Sequence, residues 1–333
     1  MAEKPSITRA IAPFARKHWP TDDITVIHVV PYLNIRFRYP HALKWADYPH
    51  VSEPQDAVAS LGLAPAPMRL MPDGMPMQSL QPDDALPHLR RADLIVCACD
   101  PDHTGAVSFE VAIDYLLGAD RASTCPSLRI SALDDASIEA AFAGIAPFGE
   151  VLATSAAYGR VKRYFDWNFN VNSYAVLGAA QRLADVSDGP HLPSKPAPLL
   201  SKYALQLLYG LRNRPPMTDG WVINLMQKWA GTGRYPARAG AAGLQFGSAA
   251  SRSRILDNLL EAGLLARTEV DGKHAVQVSA RGHEMLNRLH PDCEDPDLPF
   301  RLHAWCEAGA AAKPAIDRYI KTFFGKQKRF MAQ

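Results

Sequence analysis

The most constraining stretch of this chain is LIVCAC at 94–99, six residues without a charged or strongly polar side chain, which runs directly into Asp100-Pro101-Asp102-His103-Thr104-Gly105. A short continuous apolar run ending in turn residues fits a strand buried on both faces. Beyond the turn, VSFEVAIDYLL at 107–117 reads as a helix, so the order is strand, polar turn, helix. That order belongs to an α/β layer, in which ligands sit at the carboxyl ends of the strands. The β-branched run ITVIHVV at 24–30 adds a second buried strand. A helix is expected over 6–17, capped by Ser6 and stopped by Pro20. Residues 49–90, rich in Pro, Asp and Met, read mainly as loops. One α/β domain over 1–130 accounts for all of this.

After SLRISALD at 127–134 the pattern turns mostly helical, with IEAAFAGIA at 138–146 and GEVLATSAAYGRVKRYFDWNF at 149–169. A Pro/Ser/Gly-rich linker, SDGPHLPSKPAP, occupies 187–198. Further helices are expected over 199–211, 219–230, 250–263 and 313–324. Between the last two, the chain reads as a helix stopped by Gly263 and a hairpin turning at Asp271-Gly272, close to a winged helix. Residues 131–333 are therefore expected to form a second, mostly helical domain, and a length of 333 residues suits two domains.

Composition narrows the function classes. With 47% hydrophobic and 21% charged residues the chain belongs with folded proteins rather than disordered ones. Lys and Arg total 36 against 34 Asp and Glu, a formal charge of +2, so a nucleic-acid site would have to arise from local clustering. Five cysteines, an odd number without a C-x-x-C pair, argue against a disulfide framework or a structural zinc site and suit a reducing compartment. The N-terminus lacks the apolar core of a signal peptide and no apolar run reaches membrane-spanning length, so a cytoplasmic protein without a membrane partner is expected.

Two local clusters carry chemistry. Asp100 and Asp102 stand two apart at the end of a buried strand, where both carboxylates can converge on a hard cation such as Mg²⁺. The same Asp-Pro-Asp also suits an ordinary turn, and the spacing does not choose between them. Arg160, Lys162 and Arg163 stand among Tyr158, Tyr164, Phe165, Trp167 and Phe169, combining phosphate-neutralising charge with rings able to stack on bases. A solvated basic face with core aromatics has the same composition. His103 reads as a phosphate contact or a plain turn residue, and Lys321, Lys326, Lys328 and Arg329 as a nucleic-acid contact or a frayed basic end.

AEKPSITRAIA at the N-terminus, DPDHTG at 100–105 and GRVKRYFDWNFNVNS at 159–173 together resemble the type IA DNA topoisomerases, closest to the topoisomerase III branch. The resemblance implies an α/β TOPRIM domain followed by a mostly helical, winged-helix-like gate domain that contacts single-stranded DNA. Glu3 and Lys4 match the family's catalytic Glu and its neighbouring Lys, and Asp100 and Asp102 its metal-binding pair. Asp166, Trp167 and Asn172 match the gate motif by spacing. SKYALQLLYGLRNR at 201–214 supplies Lys202 and Gln206, and GSAASRSRILDNLLEAGLL at 247–265 places Ser248, Ser251 and Arg252 on a Thr, a Thr and an Arg of the family. RPPMTDGWVINLM at 214–226 and SARGHEML at 279–286 extend the likeness.

The departures are specific. The family's third acidic position is Thr104, its Arg is His103, and the Glu after the glycine is Ala106, so Mg²⁺ binding is expected to be weakened. The chain opens at Met1-Ala2-Glu3, leaving almost nothing of the first TOPRIM strand. In the gate motif the Gly is Asn170, the Ser/Thr is Tyr174 and the Arg is Ala175. Gly247 comes 75 positions after Asn172, where the family carries an arch and the domain with the cleaving tyrosine. Tyr235, in GRYPARAGA, resembles the family's Y-P-R-T with one extra residue before the Arg, and is the candidate nucleophile.

The resemblance therefore implies a compact, partly degenerate topoisomerase-like protein that binds single-stranded DNA, with Arg160, Lys162, Arg163, Lys202 and Arg252 neutralising phosphates. Without an arch no strand passage is expected, and a separate chain supplying the cleavage function is an implied partner. Two other readings stand beside it. One is an active minimal topoisomerase or nuclease using Tyr235 or a metal-bound water, and the other is a non-catalytic interaction module.

Overall fold

In the first unit, residues 1–3, 24–27, 96–99 and 126–128 run side by side. Ala2 bridges Ala98 in parallel and Cys97 bridges Ser127 in parallel, while the Ala2 N–H donates to the Ile27 carbonyl. The computed structural model describes residues 1–27, 39–40, 42–54, 63–64, 68–78, 83–185, 200–234, 246–247 and 249–333. The linker at 187–198, Tyr235 and Ser248 lie outside the described residues. Packing divides the chain into 1–38 with 54–162, and 39–53 with 163–333. Residues 131–162 thus pack with the first unit. The reason is apolar: Ile138, Ala141, Phe142, Phe148, Leu152 and Ala156 are all buried in the cores of the first unit.

The first unit contains helices α1 (Pro5–His18), α2 (Ala85–Arg91), α3 (His103–Leu117), α4 (Asp135–Ala143), α5 (Phe148–Val151) and the start of α6 (Ala153–Asn172). Its strands are β1 (Thr25–Val26), β2 (Leu63–Ala64), β3 (Met68–Leu70), β4 (Pro76–Gln78), β5 (Asp83–Asp84), β6 (Pro126–Ser127) and β7 (Ala146–Pro147). β1, β3 and β4 form an antiparallel sheet in that order, and β2–β5 and β6–β7 are short antiparallel pairs. Parts of 49–90, read as loops, are therefore strands and a helix, too short to show periodicity.

Alternation along 97–99 sorts two cores. Cys97 and Cys99 face one, with Phe109, Ala112 and Ile113 of α3 and Phe148 of α5. Ala98 faces the other, with Ala2, Leu128, Ile7 and Ile11 of α1 and Phe142 of α4. Successive side chains of a strand point to opposite faces, so a run apolar at every position is one covered on both sides. Of the buried strand expected at 94–99, only Cys97 and Ala98 form bridges in this central segment, and Leu94 is 51% exposed. The helix expected over 6–17 begins instead at Pro5, with Lys4 as N-cap and no side-chain cap bond. Ser6 lies inside it, because proline's fixed φ suits the first helical position.

The second unit holds the rest of α6, then α7 (Gly178–Asp185), α8 (Lys202–Leu211), α9 (Asp219–Gln227), α10 (Ala249–Glu261), α11 (Ala280–Asn287), α12 (Leu298–Ala308) and α13 (Lys313–Phe330). A π-helical turn, Ser173–Leu177, joins α6 to α7. Between α10 and α11 lies an antiparallel hairpin of β8 (Leu265–Val270) and β9 (Lys273–Val278). Its turn residues Asp271 and Gly272 both have positive φ (51° and 71°), as a two-residue type I′ turn requires. Gly263, at φ 68°, ends the α10 region in the left-handed conformation. The aromatic residues late in α6 are core: Phe165 stacks near Trp305 and Tyr319, and Phe169 near Phe323 and Phe324. α13 runs to Phe330, past the expected end at 324, and there the buried Gln327 accepts the His290 N–H and donates to the Arg288 carbonyl.

Candidate functional site

The acidic turn is built by helix capping. Asp102 is the N-cap of α3, and its Oδ1 accepts the N–H groups of Thr104 and Gly105, both at 2.8 Å. This satisfies two donors that a helix start leaves open, which is the turn role the spacing allowed. Asp100 stands at the end of the central segment, where its N–H donates to Glu3 Oε2 at 3.2 Å. Lys4 Nζ donates to Asp100 Oδ2 at 2.5 Å and lies 3.5 Å from Glu3 Oε1. Glu3, Lys4, Asp100 and Asp102 are thus brought together.

Glycine makes the approach possible. A Cβ on Gly105 would stand 2.2 Å from the Asp100 carbonyl oxygen and 2.9 Å from Glu3 Oε2. One on Gly159 of α6 would stand 2.4 Å from the His103 carbonyl oxygen. The opening of α6 therefore rests on the first turn of α3, with Tyr158 beside His103 at 5.1 Å between ring centroids. Arg160 pairs there with Glu110 at 2.7 Å, and with Asp114 at 3.8 Å. An isolated glycine within a helical pattern is the sequence signal for such an approach, and Gly159 carried it unread.

Electrostatics at Glu3 are those of a covered carboxylate. The residue is only 8% exposed, and burial, with Asp100 adding repulsion, raises its pKa above the ordinary carboxylate value against the pull of Lys4. A carboxylate whose folded pKa is raised lends stability below its unfolded pKa and loses it as pH rises through the folded value. Glu3→Gln is accordingly expected to raise the melting temperature at pH 8 in EDTA. The gain should fade on acidification below the ordinary carboxylate pKa, and a variant less stable at both pH values would contradict the burial argument.

For a divalent cation the donor set is thin. Asp100 Oδ2 is held by Lys4 and Asp102 Oδ1 by two helix N–H groups, which leaves Asp100 Oδ1 and Asp102 Oδ2 for a cation. Thr104 contributes no charge, and among the described residues no group of three or more His, Cys, Asp or Glu side chains is arranged to hold a metal. Two carboxylate oxygens are left to a cation, and the Lys4 ammonium already stands against one of the two groups.

The gate-motif residues of the second unit are held differently. Trp167 is fully buried, its Nε1 donating to Ser52 Oγ at 3.0 Å, and its ring lies under Tyr39 at 5.4 Å and 6° between planes. The expected stacking of a base on Trp167 therefore has no exposed face to use. Tyr39 and the 45% exposed Tyr174, 5.1 Å from it, are the rings nearer solvent. Burial pushes the Tyr39 hydroxyl up to about 12, with Arg163 close enough to oppose the shift. Asn172 and Asn168, one helical turn apart, bracket the backbone of the 50–52 segment: each side-chain amide both accepts from and donates to one residue there, His50 or Ser52.

Asp166 and Lys202 form a largely buried ion pair. Gln206 is buried, donating to the Cys293 carbonyl at 2.9 Å and accepting from the Asp295 N–H at 2.7 Å. Arg252 is 2% exposed in α10, one residue after Ser251. Lys162 belongs to the first unit and Arg163 to the second, both half-buried. Sequence reading missed His50, Ser52 and Tyr39, since nothing local marks a residue whose partner lies over a hundred positions away.

Among the described residues no helix is long and apolar enough to cross a membrane. A scan against family models finds no match for the chain, and a search of curated proteins finds none either.

Proposed function

We propose that the chain is a compact type IA topoisomerase-like protein that binds single-stranded DNA, with a weak Mg²⁺ site at Asp100 and Asp102. The observation that supports this most is the meeting of Glu3 and Lys4 with Asp100 across 97 residues of sequence, a grouping that the motif resemblance implies independently of any geometry. In this reading Lys4 offers a phosphate its ammonium at the end of the central strand, while Glu3 holds the Asp100 backbone in place. A bound Mg²⁺ would neutralise further phosphate charge. In the second unit Arg163 supplies a phosphate contact, and Tyr39 and Tyr174 supply the rings.

Fluorescence anisotropy of a labelled oligo-dT, measured over a salt series, tests this reading. Affinity should fall with salt, and Arg163→Ala should weaken binding and flatten the slope by about 0.7. Affinity indifferent to salt and to Arg163→Ala would leave the interaction-module reading. Supercoiled plasmid with Mg²⁺ should stay unrelaxed. Relaxation that disappears in Tyr235→Phe would replace the proposal with an active minimal topoisomerase.

A further inference from the structure

Helix α13 carries a basic groove that takes in Lys321 and Arg329 of the C-terminal basic cluster. Pro314, Asp317, Arg318, Lys321, Thr322 and Arg329 line an open groove of about 510 Å³ along its exposed side. These residues recur at helical spacing along one side of the helix. Arg329 Nη1 lies 3.6 Å from where a Gly325 Cβ would stand, so that guanidinium reaches back over the glycine.

The other cations of α13 are already engaged. Lys313 pairs with Glu53 at 2.6 Å, Lys326 pairs with Asp292, and Lys328 donates to the Trp45 and Tyr48 carbonyls, both at 2.7 Å. Arg318, Lys321 and Arg329 take part in no ion pair or hydrogen bond with a side chain among the described residues. The one acid of the groove, Asp317, accepts the Tyr164 hydroxyl at 2.7 Å. Like charges on one helix face repel, so three cations that share a single carboxylate, Asp317, are stabilised by an external anion.

The shape favours a chain of anions over a single one. Arg318 and Arg329 are eleven residues apart, about 16 Å along the helix axis, which is long enough to meet more than one phosphate of an extended strand. The lining holds no aromatic or aliphatic side chain beyond Pro314, so it has nothing to stack on a base and nothing to insert into a bilayer. We infer that this groove binds a linear run of phosphates through backbone charge alone, as a site separate from the acidic turn. That the run is the backbone of single-stranded DNA rests on the function proposed above. The anion site itself does not.

The test compares wild type with Arg318→Ala/Lys321→Ala/Arg329→Ala, using labelled oligo-dT and inorganic polyphosphate as probes. All three positions are exposed, so the melting temperature should hold. The salt slope for oligo-dT should flatten by about 2, three contacts at roughly 0.7 each, and polyphosphate should compete with oligo-dT on wild type but not on the variant. Lys17→Ala/Arg69→Ala/Lys313→Ala, which removes three ion-paired cations, controls for net charge and should keep most of the slope. Oligo-dT binding with an unchanged slope in the groove variant would sink the groove and leave the DNA reading intact. Polyphosphate binding that the variant abolishes, with no oligo-dT binding by wild type, would keep the groove and sink the DNA reading.

Discussion

Gly105→Ala should cost the first unit about 3 kcal/mol, at the upper end for overpacking, and lower its melting temperature by about 6–12 °C. The added methyl would stand 2.2 Å from the Asp100 carbonyl oxygen, 2.9 Å from the Asp100 nitrogen and 2.9 Å from Glu3 Oε2. Two of these are backbone atoms fixed on the central segment, so no rotamer change relieves the clash. The route left is for α3 to move away, which separates Asp102 from Asp100. The effect comes from space alone, since Gly105 is an ordinary helical residue. Calorimetry with near-UV dichroism would report both parts. A variant melting within a degree of wild type would show that α3 can slide without loss, and the site would then lack the rigidity a phosphate-binding turn needs.

Asp166→Ala should be the most damaging single change in the second unit, at about 3–5 kcal/mol. The Lys202 side chain is only 9% exposed, so Asp166→Ala takes a carboxylate away from a covered ammonium, with Phe165 and Tyr203 rings at 5.8 and 4.5 Å. The cost arises from that covered charge. Asp166→Ala/Lys202→Met should therefore recover much of the loss, because a methionine of similar length fills the same space. Urea denaturation of the two variants decides the matter. A double variant as unstable as the single one would mean the pair contributes through geometry rather than charge.

That ion pair marks where sequence reasoning reaches and where it stops. Strong local signals are legible: the apolar run at 94–99, the capping Asp102, the Asp271-Gly272 turn and the stop at Gly263 each act through their own backbone. Long-range pairing is not. Asp166, Trp167, Asn172 and Gln206 carry polar or aromatic chemistry that suits a DNA contact, yet each finds its partner inside the second unit. Composition is the same for a ring that stacks on a base and a ring that packs beside Trp305. The helix Leu298–Ala308 escapes sequence reading altogether, since LPFRLHAWCEA mixes apolar and charged positions without a clean period and buries two faces. Glu3 and Asp100 are paired in the sequence only through motif resemblance, since their spacing alone cannot pair them.

The π-helical turn at Ser173–Leu177 makes the length of this region a counted quantity. A ring closed from i to i+5 holds one residue more than an α-helical turn, and each residue of an α-helix adds about 100° of rotation. Deleting one residue here would therefore leave every local propensity intact and still re-aim the helix beyond the turn. α7 would present a different side to α11, on which it packs, and the buried Ser173 hydroxyl would lose its bond to the Leu200 carbonyl. Changes of identity at the exposed Tyr174 are thus cheap for the fold, whereas a change of length by one is not. In this stretch the gene's reading is constrained in arithmetic more tightly than in alphabet.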